Sequence, residues 1–145
     1  MVGSYLSYFG IRVTDVERAL RIYAGILGLQ EISRGDRSAD GGGTIVLLKD
    51  PFSGQKLELN WYPPGSRFAV PYTPGEGLDH LAFRVADIRA TIARLAAAGG
   101  QLALPEYPVE PMPGFHVAYV KDPDGNWIEL WQQPEPIPEQ APEAY

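Results

Sequence analysis

The chain repeats itself. The segment Gly10-Ile-Arg-Val-Thr-Asp-Val16 returns as Ala82-Phe-Arg-Val-Ala-Asp-Ile88, so Arg12, Val13 and Asp15 have copies at Arg84, Val85 and Asp87, 72 positions on. Leu48-Lys-Asp-Pro51 returns as Val120-Lys-Asp-Pro123 at the same displacement. Each copy then runs through a glycine, Gly54 or Gly125, into Leu57-Glu58-Leu59 or Ile128-Glu129-Leu130. The last pair stands 71 apart, so the second loop is one residue shorter. A chain of this kind is two copies of one supersecondary unit, and any fold proposed for it must be built from that unit twice.

The unit reads as strand, helix, then three strands. Tyr8–Val13 and His80–Val85 alternate in the manner of strands. Asp15 and Asp87 stand where a helix N-cap belongs, able to accept from orphan amides of the following turn. Val16, Ala19, Leu20, Tyr23 and Leu27 then recur at helical spacing before Gly28, as do Ile88, Ile92, Leu95 and Ala96 before Gly99. Further strands are expected over 30–34, 44–49, 56–61, 101–104, 116–121 and 126–132. Between the halves, residues 63–77 are too rich in proline and glycine to continue a central strand and read as a linker, with Phe68 and Tyr72 making it more adhesive than a spacer. Residues 133–145 are dominated by proline and glutamate and are expected to form a mobile tail. The domain plan is thus a single domain over 1–132, with a first module over about 5–62 and a second over about 78–132.

Composition removes several function classes. Twelve Lys and Arg against eighteen Asp and Glu leave a formal charge of −6, which repels phosphate backbones and anionic membranes; neither is an expected partner. No apolar run approaches the ~20 residues of a bilayer span, and Met1 is followed by Val-Gly-Ser-Tyr rather than a basic and then apolar leader, so the expected address is cytoplasmic. The chain has no cysteine, which excludes disulfides, thiolate nucleophiles and thiolate metal sites. A metal here would be held by nitrogen and oxygen. Gly41-Gly-Gly43 lacks the following helix and the Lys-Ser or Lys-Thr pair of a phosphate loop and reads as a hairpin connection. No Ser or Thr stands in a triad context with His80 or His116.

Strand alternation decides which side chains share a face. Ile11, Val13, Leu57, Leu59, Ile128 and Leu130 belong under the helices. The opposite face gathers Tyr8, Arg12, Glu58, His80, Arg84 and Glu129, equivalent in pairs through the repeat. A half-covered sheet also shows glutamates on its wet side, but independent surface residues have no reason to coincide in register in both copies. One imidazole, two carboxylates and a phenol form a nitrogen and oxygen set suited to Ni, Co, Zn, Mn or Fe. Trp127 and Trp131 share the Glu129 face and could stack on a ligand. His116 could line the same face or serve structurally.

The elements Ile11-Arg-Val-x-Asp15, Arg18-Ala-Leu-x-x-Tyr23, Leu27-Gly-Leu29, Leu57-Glu-Leu59, Leu78-Asp-His-Leu81 and Lys121-Asp-Pro-Asp-Gly-x-x-Ile-Glu-Leu130 resemble the vicinal oxygen chelate superfamily. Glyoxalase I, methylmalonyl-CoA epimerase, extradiol dioxygenases and fosfomycin and bleomycin resistance proteins share its fold. The resemblance covers about residues 5–132. It implies an α+β fold of two paired βαβββ modules forming a cup-shaped mixed sheet, with one metal ligand from the first and fourth strand of each module. Carried over, these are Tyr8, Glu58, His80 and Glu129, the four reached from the repeat. Tyr8 would be a weak ligand or a substrate contact, and His80 the steadiest ligand. Glu58 or Glu129 would move the proton, with Glu129 favoured. Arg12 and Arg84 would bind a distal carboxylate or phosphate, or pair with a neighbouring acid. The two glutamates favour a metal-dependent lyase or isomerase of the glyoxalase I kind, acting on a small molecule with vicinal oxygens through an enediolate. A metal-free protein that sequesters a ligand is the alternative, and extradiol oxygenation the third. The resemblance also implies a homodimer, with modules paired within one chain or across two.

Overall fold

The computed structural model describes residues 7–36, 42–109 and 112–137, and divides the chain into two compact units, residues 1–71 and 72–145. Unit 1 runs β1 (Phe9–Arg12), α1 (Val16–Tyr23), β2 (Gln30–Asp36), β3 (Thr44–Lys49) and β4 (Lys56–Trp61). Unit 2 repeats it as β5 (Leu81–Arg84), α2 (Ile88–Ala97), β6 (Gln101–Pro108), β7 (His116–Lys121) and β8 (Trp127–Gln132). The sheets have the orders β1-β4-β3-β2 and β5-β8-β7-β6. In each, the first and last strands pair in parallel and the remaining neighbours are antiparallel, giving two mixed four-stranded sheets and an α+β fold.

The repeated residues make these units alike. Asp15 accepts from the Arg18 amide and Asp87 from the Ala90 amide, each at 2.9 Å, satisfying a first-turn donor that the helix cannot. Ile22 and Tyr23 of α1 are fully buried with Val46, Leu48 and Leu59 in the core of unit 1. Ile88 and Leu95 of α2 are buried in unit 2, as are Val120, Ile128 and Leu130. Each such side chain contributes about 1.5–3 kcal/mol relative to exposure. The apolar stripe of the first helix runs beyond its end: after Tyr23 the chain widens, with the Leu27 amide donating to Ile22 O at 2.9 Å. The turn stops at Gly28, whose φ of +84° favours glycine.

The repeated Asp-Pro elements are tight loops before the last strand. Asp50 accepts from the amides of Phe52 (2.7 Å) and Ser53 (2.8 Å). Asp122 accepts from the amides of Asp124 (2.9 Å) and Asn126 (2.8 Å), and its second oxygen takes Asn126 Nδ2 at 3.0 Å. The expected linker divides between the units. Tyr72 Oη donates to Asn126 Oδ1 at 3.4 Å, so the first residues of unit 2 lie against its own Asp122 loop.

Several bounds differ from expectation. β1 and β5 are shorter, leaving Tyr8 and His80 immediately ahead of their strands. β6 reaches Pro108 through Pro105; it is an edge strand with register shifts at Leu102/Leu104 and Leu104/Tyr107, so the missing proline donors break no regular ladder. Gly41 lies outside the described residues. Gly43 immediately precedes β3, where a Cβ would collide with the backbone carbonyl of Trp61, so a close approach selects glycine. Of the expected tail, residues 138–145 also lie outside the described residues. Among the described residues no helix is long and apolar enough to cross a membrane.

Candidate functional site

Parallel pairing within each unit sets the site residues. In unit 2, Ala82 of β5 stands opposite Glu129 of β8, and on the other side Tyr119 of β7 stands opposite the same glutamate. His80, two residues before Ala82, shares its side of the sheet. Its Nε2 lies 2.8 Å from Glu129 Oε2, and its Nδ1 lies 2.6 Å from Asp79 Oδ2. Tyr119 stands edge-on to the His80 ring at 5.8 Å between centroids. Burial pushes the Tyr119 phenol above its ordinary value, and the charge of the neighbouring Glu129 carboxylate pushes it the same way.

The Asp79–His80–Glu129 line has a definite chemical meaning. A ring with a carboxylate at each nitrogen is either a doubly protonated imidazolium, or a neutral ring that donates from Nδ1 and offers the Nε2 lone pair to a cation. The second state is the usual arrangement of a metal-binding histidine, with a carboxylate behind the ring fixing its tautomer. His80 and Glu129 therefore fit a nitrogen and oxygen cation site as two adjacent ligands. Among the described residues, no three His, Asp or Glu side chains are grouped as a cage.

Unit 1 carries the same register with different occupants. Gly10 of β1 stands opposite Glu58 of β4, and Leu47 of β3 faces it from the other side. A Cβ on Gly10 would come within 3.1 Å of Asn60 Nδ2 and 3.9 Å of Glu58 Oε1, so glycine keeps the strand beside the carboxylate clear. Tyr8, the copy of His80, is 44% exposed.

The arginines do something that alternation did not foresee. Arg12 donates from Nη1 to Val70 O (2.6 Å) and from Nη2 to Phe68 O (2.9 Å), and its guanidinium lies 5.0 Å from the Tyr62 ring centroid. Arg84 Nη2 donates to Glu135 O (2.8 Å) and Pro136 O (3.1 Å), with the guanidinium 5.5 Å from the Trp131 centroid. Each ties down the segment that leaves the last strand of its own unit.

The remaining candidates separate by face. Lys121 is opposite Trp127 and Val117 opposite Trp131, so both tryptophans share the Tyr119 and Glu129 side of the sheet. Trp127 packs edge-on to Tyr119 at 5.8 Å, and Trp131 stacks on Phe115 at 5.4 Å. His116 is opposite Gln132, whose Oε1 accepts from the Ile88 amide at the start of α2. That places His116 on the helix side, away from Glu129. Its Nδ1 lies 2.8 Å from Glu106 Oε1, and Glu106 Oε2 takes Arg89 Nε at 2.6 Å. Asp79 and Tyr119 were not singled out by sequence. Adjacency to His80 was the only signal for Asp79, and Tyr119 needed the β7–β8 register.

A pair of βαβββ units, each carrying a glutamate on its last strand beside the start of its first, defines a class of α+β protein. The chain belongs to the Glyoxalase/Bleomycin resistance protein/Dioxygenase superfamily, whose family model matches residues 5–130. It is 32% identical over 126 residues to a probable lactoylglutathione lyase of Vibrio parahaemolyticus, covering 84% of this chain and 86% of that one. It resembles the solved trypanothione-dependent glyoxalase I of Leishmania major, with 28% identity, a TM-score of 0.65, and coverage of 90% of this chain and 88% of that one. A glyoxalase family protein of Bacillus cereus shares the fold, with a TM-score of 0.71 at 21% identity over 91% of this chain and 97% of that one.

Proposed function

We propose that the chain is a metal-dependent lyase or isomerase of the glyoxalase I (lactoylglutathione lyase) kind, acting on a small molecule with vicinal oxygens. The observation that carries this reading is the alignment of Asp79, His80 and Glu129, with a repeat-equivalent Glu58 in unit 1. The ligands are drawn from His80, Glu129 and Glu58, with Tyr8 as a weak ligand or a substrate contact. A divalent cation, Ni, Co, Zn, Mn or Fe, would supply the Lewis acidity that stabilises an enediolate. His80 offers Nε2 and is kept in that tautomer by Asp79. The glutamates carry the carbon-bound proton between adjacent carbons of the substrate. Trp127 and Trp131 flank Glu129 along β8 and provide apolar walls. Arg12 and Arg84 fix the exit segments, and the role of His116 is structural. We read the assembly as a homodimer.

The test is the metal content of protein purified without an affinity tag, then uptake of each of the five metals and formation of lactoylglutathione from methylglyoxal and glutathione. Stoichiometric metal, lost in His80→Ala, is expected. Tyr8→His is expected to tighten binding. The aromatic surface around Trp127 and Trp131 favours a second reading, metal-free sequestration of a ligand. A wild-type chain that takes up none of the metals would displace the enzyme reading in its favour.

A further inference from the structure

The repeat-equivalent arginines do the same thing twice, each within its own unit. Arg84 stands opposite Trp131, two residues past the Ala82–Glu129 pair, and so lies on the Glu129 side of its sheet. Its guanidinium is 5.5 Å from the Trp131 ring centroid and takes up the chain that has just left β8. Nη2 donates to Glu135 O at 2.8 Å and to Pro136 O at 3.1 Å. The Gln133 amide, with its oxygen turned to the guanidinium, accepts from Nη2 at 2.8 Å and from Nη1 at 3.1 Å. Trp131 also stacks on Phe115, and the preceding Gly114, at φ +76°, has no room for a Cβ, which would run into Pro134. Residues 133–136 are therefore seated against the sheet rather than trailing from it. In unit 1, Arg12 stands opposite Asn60, two residues past the Gly10–Glu58 pair. It lies 5.0 Å from the Tyr62 ring centroid and donates to Val70 O and Phe68 O, while Tyr62 stacks on Phe68. The acceptors in both units are main-chain carbonyls, so one arginine position serves two exit segments of different sequence.

We infer that Arg84 and Arg12 are positioning residues that set substrate length, each holding its exit segment as an end wall on the glutamate face of its own sheet. The inference rests on the lyase or isomerase reading and narrows its substrate class. Two residues along a strand span about 7 Å, so a substrate held beside Glu129 meets residues 133–136 about that far on. A methyl group or a single ring fits inside that span, and a long unbranched chain pointing the same way does not. The substrate is then a compound with vicinal oxygens whose group toward Trp131 is short. A guanidinium suits the task, because its planar fork engages two carbonyls at once while its flat face rests on an aromatic ring.

Turnover of the tag-free chain loaded with Ni²⁺ or Zn²⁺, with glutathione and either methylglyoxal or octylglyoxal, tests the assignment. Wild type should favour methylglyoxal by at least about tenfold in kcat/KM. Arg84→Met keeps an unbranched side chain beside Trp131 and removes the donors. It should narrow that preference about tenfold by lowering KM for octylglyoxal, with kcat on methylglyoxal near wild type. Gly114→Ala displaces Pro134 without touching the arginine and should act in the same direction. Two readouts need no turnover. Hydrogen exchange at the Glu135 and Ile137 amides should quicken at least about tenfold in Arg84→Met, and trypsin should cleave the Arg67–Phe68 bond faster by a similar factor in Arg12→Met. An unchanged length preference in Arg84→Met and Gly114→Ala, or unchanged exchange and cleavage, would overturn the assignment while leaving the metal-dependent reading standing. A wild-type chain that turns over neither keto-aldehyde would remove that reading and the assignment together.

Discussion

Asp50 and Asp122 occupy the same place in the repeat, yet removing their carboxylates should have very different consequences. Asp122 is only 4% exposed and Asn126 3%, and the Asp122 carboxylate takes three donors, two of them from Asn126. Asp122→Ala takes the carboxylate away from the Asn126 amide and side-chain nitrogen in a place that solvent barely reaches. Each buried donor left without a partner costs about 1–3 kcal/mol, so the pair amounts to about 4 kcal/mol. Asp50 takes two backbone amides, of Phe52, which is part-buried, and of Ser53, which is exposed; water replaces much of what is lost. Asp50→Ala should therefore cost about 1 kcal/mol. With a urea slope of about 2 kcal/mol per molar, the midpoints should fall by about 2 M and about 0.5 M. Urea titrations of the two variants beside wild type, followed by circular dichroism, give the comparison directly. The loops are copies that differ by one residue in length, so the comparison sets a buried carboxylate with three donors against a more exposed one with two. A midpoint for Asp50→Ala as low as that for Asp122→Ala would refute the reasoning.

Asp15→Ala and Asp87→Ala should each lower stability by about 1 kcal/mol through the lost N-cap, with Asn restoring most of it in either position; thermal melts of the four variants check this. Gly43→Ala should be more damaging than an ordinary glycine change, by about 2–3 kcal/mol, because the new methyl meets the Trp61 carbonyl rather than open space; Gly35→Ala, with nothing near its Cβ, is the control. The hydrogen bond from Arg34 holds the Glu31 carboxyl below its ordinary value. The associated stabilisation is thus present above the ordinary carboxylate range and fades as pH falls through the lowered folded value. NMR titration of Glu31 should show its midpoint rising in Arg34→Ala; an unmoved midpoint would mean that Arg34 is not the cause.

Much of this architecture can be read from residues because the repeat supplies a second, independent copy of every signal. Asp15 and Asp87 are both N-caps, and the strands 44–49, 56–61 and 116–121 run over the expected residues. Alternation put Glu58 and Glu129 on the side opposite the core, and their leucine and isoleucine neighbours are buried. What alternation does not contain is register between strands. Tyr119 and His116 both belong to β7, and only pairing with β8 shows that Tyr119 meets Glu129 while His116 meets Gln132 on the other face. Long side chains escaped for a related reason: Arg12 and Arg84 reach carbonyls more than fifty residues away in sequence, which no local pattern encodes. The end of α1 was missed because a widened turn preserves apolar spacing after regular helix has stopped.

The parallel pairing of first and last strands has a consequence for how the protein comes into being. Gly10 meets Glu58 only after 48 intervening steps of chain, and Ala82 meets Glu129 after 47. The β3–β4 and β7–β8 hairpins are far more local and close at smaller entropic cost. Within each unit the hairpins can therefore organise before the first strand docks, and docking is the event that brings His80 to Glu129 or Gly10 to Glu58. On the ribosome, unit 1 has its last strand in hand once Trp61 has emerged, and unit 2 once Gln132 has. The candidate chemistry is thus assembled by the slowest contact in each half, and a nascent chain cut short before β8 would carry His80 without the carboxylate that defines it.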